Sequence, residues 1–99
     1  MSEPAPEFHV EREMSVSRED FLRQLRLAFP DCVLSREDRA TITDGPARLE
    51  IRLTPLQPRT IARLTLPCLK VSLRGTAGND RELAALLARM DLAMRRGGG

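Results

Sequence analysis

Apolar and polar residues alternate from Phe8: Phe8, Val10 and Met14 share one side with Arg12, while His9, Glu11 and Glu13 occupy the other. A period of two predicts a half-buried strand, with Arg12 an unexpected charge on its apolar side. The period changes after Ser17. Phe21, Leu22, Leu25, Ala28 and Phe29 recur at helical spacing and form one stripe. Ser17 is placed to accept a hydrogen bond from the backbone N–H near Asp20, and Pro30 ends the helix. Arg18, Arg23 and Arg26 lie opposite the stripe, which leaves Leu27 as an exposed apolar residue.

A run of strands follows. Residues 32–35 predict a short one, and 39–43 alternate up to Asp44-Gly45, a hairpin dipeptide. Residues 47–54 form the clearest strand, with Leu49, Ile51 and Leu53 inward and Arg48, Glu50, Arg52 and Thr54 outward. Pro55 and Pro58 predict a loop. Residues 60–66 predict a further strand with Ala62, Leu64 and Leu66 inward; Pro67 separates it from 68–74, whose inner row is Leu69, Val71 and Leu73.

Gly75 and Gly78 interrupt this pattern, and Asn79 with Glu82 predicts a capping box for a helix over 80–96. Leu83, Leu86, Leu87, Met90 and Met94 make its apolar stripe, and Gly97 is placed to end it in a left-handed conformation. The fold class is therefore α+β: two layers, an antiparallel sheet of about five to six strands with two helices on one face, in the order β-α-β-β-β-β-β-α. Residues 1–7, with Pro4 and Pro6 among acids, read as a disordered leader, 8–96 as a single domain and 97–99 as a flexible glycine tail. In the order of its elements the chain resembles the TATA-binding-protein half-domain and compact helix-grip folds. That resemblance covers the order of elements, implies the two-layer architecture and carries no function with it.

Composition narrows the function classes. Sixteen basic and 14 acidic residues leave a net charge of +2, too near balance to imply nucleic acid or an anionic membrane by bulk charge. No apolar run approaches the roughly 20 residues of a membrane-spanning helix, and the N-terminal residues do not form a secretory signal. The two cysteines, Cys32 and Cys68, suit neither a disulfide framework nor a zinc site. A cytoplasmic protein with no cofactor and no metal is the expectation.

Candidate chemistry is sparse. His9, the single histidine, shares a face with Glu11 but has no nucleophile at a predictable distance. Neither cysteine has a visible base or helix N-terminus to activate it, and a disulfide between them would need their strands to pair. No catalytic residue is assigned. The outer face of the sheet carries Arg48, Arg52, Arg63, Lys70 and Arg74 against Glu11, Glu13 and Glu50, a candidate interaction face for an acidic protein or a second copy of the chain. It has no aromatic side chain on which a base could stack, which argues against nucleic acid.

Leu83, Leu86, Leu87, Met90 and Met94 fill a core or line an apolar pocket; exposure of Leu27 or Leu92 points instead to oligomerisation. The terminal Arg95-Arg-Gly-Gly-Gly99 resembles the diglycine tail of ubiquitin-like modifiers and sulfur carriers, but here it leaves a helix rather than a strand. The first expectation is a small non-catalytic interaction or accessory domain whose partner is another protein or a second copy of itself. The alternatives are an apolar-ligand binder and a carrier acting through the glycine tail.

Overall fold

The computed structural model describes residues 8–36 and 38–98, the last four of these by backbone alone. The expected leader, 1–7, lies outside the described residues. Five strands and two helices follow in the order β1 (His9–Met14), α1 (Arg18–Ala28), β2 (Val33–Arg36), β3 (Arg39–Asp44), β4 (Ala47–Ile61), β5 (Leu64–Ala77) and α2 (Asp80–Gly98). The strands form one antiparallel sheet in the spatial order β1-β5-β4-β3-β2.

Local chemistry sets the helix starts. Ser17 Oγ accepts from the Asp20 N–H at 3.1 Å, with Glu19 and Asp20 in the first turn where the helix dipole favours acids. At α2 the capping box is reciprocal: the Glu82 N–H donates to Asn79 Oδ1 and the Asn79 N–H to Glu82 Oε1, each at 2.8 Å. α2 does not stop at Gly97. Its backbone stays helical through Gly98, so the expected glycine tail begins inside the helix, and Gly99 lies outside the described residues.

Both helices turn their stripes to the same face of the sheet. Phe21, Leu25 and Phe29 of α1 and Leu83, Leu86, Met90 and Met94 of α2 pack with Ala40, Ile42, Leu49, Ile51, Leu53, Leu69, Val71 and Leu73 in one core. Arg12, the misfit of β1, reaches across this layer and donates to Asp91 of α2 at 2.6 Å. A second tie joins the far end. Arg89 bonds Asp44 at 2.9 Å and lies 4.8 Å from the Phe29 ring centroid, linking α2 to the β3–β4 turn and to the end of α1.

The strand boundaries differ most from expectation. Pro55, Pro58 and Pro67 do not end strands. β4 runs through the first two and β5 through the third, pairing with each other out to Ile61↔Leu64. The expected strand 60–66 is thus the tip of a long hairpin, shared between β4 and β5. Proline survives here because the neighbours have already ended: β1 leaves β5 at Leu69, and β3 leaves β4 at Arg52. Gly75 likewise lies within β5, beside a bulge opposite Arg48 and Leu49.

Both two-residue turns begin with a positive φ, +59° at Gly45 and +54° at Ala62. That first position favours glycine in such hairpins. The second turn holds it with alanine.

Candidate interaction surfaces

Beyond Leu53 and Leu69 the β4–β5 hairpin stands clear of the other strands as an arm. Directly opposed residues share a face, so the pairs Leu56–Cys68, Arg59–Leu66 and Ile61–Leu64 place Leu56, Leu66, Ile61 and Leu64 on one side. Ile61 is 53% exposed and Leu64 65%. This corrects the expectation that Leu64 and Leu66 point into the core. No helix lies over them, and only the base of the arm borders the start of α1, along Val16, Ser17 and Glu19.

The arm's row continues along β5 into the outer face of the sheet, through Cys68, Lys70, Ser72 and Arg74. There the charges are partly matched. Lys70 lies 3.6 Å from Glu11, Arg74 3.2 Å from Glu50 and Arg59 3.9 Å from Glu13. His9 Nε2 is 3.0 Å from Ser72 Oγ and 3.8 Å from Glu11. His9 is therefore one member of an exposed surface network with the Ser72 hydroxyl and the Glu11 carboxylate, both on its Nε2 side.

Of the expected interaction residues, Arg52, Lys70 and Arg74 line one shallow depression of about 430 Å³, together with Arg39, Thr54 and Ser72. Arg48 sits on the same face outside it, and Arg63 is far away, in the turn at the arm's tip. Arg39 was not singled out from sequence. It pairs directly with Arg52 across β3 and β4, and its buried Nε has no hydrogen-bond partner. Strand alternation could have placed it on the outer face, since Ala40 and Ile42 are inward.

The apolar stripe of α2 lies in the filled core: Leu83, Leu86, Met90 and Met94 are buried and Leu87 is half-buried against them. Leu27 and Leu92 are exposed. Cys32 and Cys68 are free thiols whose strands do not pair: Cys32 precedes the edge strand β2, and β3 and β4 separate that strand from β5. Burial raises the Cys32 thiol pKa, opposed in part by the nearby Arg26. Cys68 Sγ lies 3.7 Å from Glu13.

Among the described residues no cluster of His, Cys, Asp and Glu could hold a metal ion, and no helix is long and apolar enough to cross a membrane. The sequence matches no protein-family model and no curated protein.

Proposed function

We propose that the protein is a small interaction domain that self-associates through the β4–β5 arm, with a second copy as the partner. The observation that carries this reading is the row Leu56, Ile61, Leu64 and Leu66, interrupted by Arg59, on one face of the hairpin, with Ile61 and Leu64 exposed and Leu56 and Leu66 half-buried. A two-stranded hairpin is marginal in water unless something packs on it. Strand addition at its edges is disfavoured, because Pro55 and Pro58 interrupt one edge and Pro67 the other. The face is what remains for docking.

Charge selects a copy of the same chain. The tip carries Arg63 and the base is flanked by Glu13. Two arms packed face to face and antiparallel bring the tip of each to the base of the other, so Arg63 meets Glu13 twice under a two-fold axis. The apolar rows cover each other between these two contacts.

Sedimentation equilibrium tests this. The expected outcome is a dimer that dissociates on dilution and is replaced by a folded monomer in the double variant Ile61→Asp, Leu64→Asp. A wild-type protein that stays monomeric at the highest soluble concentration overturns the reading. So does a dimer indifferent to both substitutions.

A further inference from the structure

We infer that the depression on the outer face of the sheet is a binding site for a phosphate group carried by a small molecule, held between Arg39 and Arg52. The inference does not rest on self-association through the arm. It starts from a local conflict. Arg39 and Arg52 are directly opposed on neighbouring antiparallel strands, where like charges repel, and neither has an ion-pair partner among the described residues. The flanking cations differ: Lys70 and Arg74 are engaged with Glu11 and Glu50.

The depression therefore sets four cations against two carboxylates, with the surplus concentrated on one arginine pair. A bridging anion would turn the repulsion within that pair into two attractions.

The geometry favours phosphate over a single carboxylate. A guanidinium presents a planar fork of N–H donors, and two forks approaching from adjacent strands call for an acceptor with oxygens in several directions. A tetrahedral phosphate supplies these, whereas a carboxylate offers two oxygens in one plane. The Arg39 Nε is shielded from solvent and donates to nothing, a costly arrangement that a side-chain shift toward a bound anion would relieve.

The Ser72 and Thr54 hydroxyls border the same space, on the residue facing Arg52 across β5 and on its neighbour along β4. The volume of about 430 Å³ suits a small ligand. Glu11 and Glu50 on the rim, with the absence of aromatic side chains, disfavour a nucleic-acid strand.

Titration of the full chain with inorganic phosphate and with glycerol phosphate, followed by backbone amide NMR at physiological ionic strength, tests the inference. Saturable shifts centred on Arg39, Arg52, Thr54 and Ser72 are expected with at least one of the two. Saturation by inorganic phosphate identifies the free ion as sufficient; saturation by glycerol phosphate alone identifies an organic phosphomonoester.

Arg52→Gln, at an exposed position that leaves the core untouched, is expected to weaken binding by roughly tenfold or more. Arg39→Gln should do the same while leaving the sedimentation behaviour of the wild-type protein unchanged, which separates this site from the arm. Arg48→Gln, on the same face but outside the depression, should leave affinity within about twofold, the scale of a rim charge screened by salt. Three results overturn the inference: no saturable shift with either compound, shifts centred elsewhere, or equal weakening by Arg48→Gln and Arg52→Gln.

Discussion

Gly75 shows how one missing side chain sets the distance between the two layers. A Cβ built there would lie 2.5 Å from Leu83 Cδ1 and 3.1 Å from the Phe8 Cβ. Leu83 is packed in the core, so moving its side chain disturbs its neighbours, while the Gly75 N–H holds β1 close by donating to the Phe8 carbonyl at 3.0 Å. Gly75→Ala should therefore lift α2 or displace Leu83, at a cost of about 1–3 kcal/mol. Urea denaturation should show a lower midpoint with an unchanged slope. From sequence the same glycine marks the end of a strand, because the close approach that requires it involves residues 8 and 83, neither of them a neighbour in the chain. Arg12 is a parallel case: a charge on an apolar face makes sense only once Asp91 is seen beside it.

At the level of elements, what could be predicted follows how local the cause is. Both helix starts rest on contacts three residues apart, Ser17 with Asp20 and Asn79 with Glu82, so they are legible in the sequence. Asn79→Ala removes the acceptor for the Glu82 N–H and should cost about 1 kcal/mol, measured as a loss of unfolding free energy with faster hydrogen exchange at that amide. Asn79→Ser keeps an acceptor and should recover most of the loss.

Strand lengths are a different matter. Alternation predicts that Leu64 and Leu66 share a face, and they do, but which face meets a core depends on where the flanking strands stop. Prolines at 55, 58 and 67 then read as breaks, when they mark edges that lack a neighbour. The arginine depression was half visible for the same reason: Arg52, Lys70 and Arg74 lie on the strands with the clearest alternation, while Arg39 lies on a shorter one whose register to β4 is a non-local fact.

Across the whole molecule, the arm is set apart from the core. Every buried core residue lies between Phe21 and Leu53 or between Leu69 and Met94, and none comes from the arm. Among the described residues, the ion pairs between sheet and α2, Arg12 with Asp91 and Arg89 with Asp44, also lie outside it. The arm therefore adds ordered backbone without adding to the core, and its hairpin bonds form within a segment that ends at a strained Ala62 turn.

Excising residues 56–68 and joining Pro55 to Leu69 through an Asn-Gly turn should leave a folded protein. The expected unfolding free energy of its monomer lies within about 1 kcal/mol of that of the Ile61→Asp, Leu64→Asp monomer, with a smaller denaturant slope because less surface is exposed on unfolding. Circular dichroism should retain the helical signal, and sedimentation should show a monomer. An unfolded product would mean that the arm supports the sheet after all. A folded product that still dimerises would move the self-association surface to Leu27 and Leu92 on the helices.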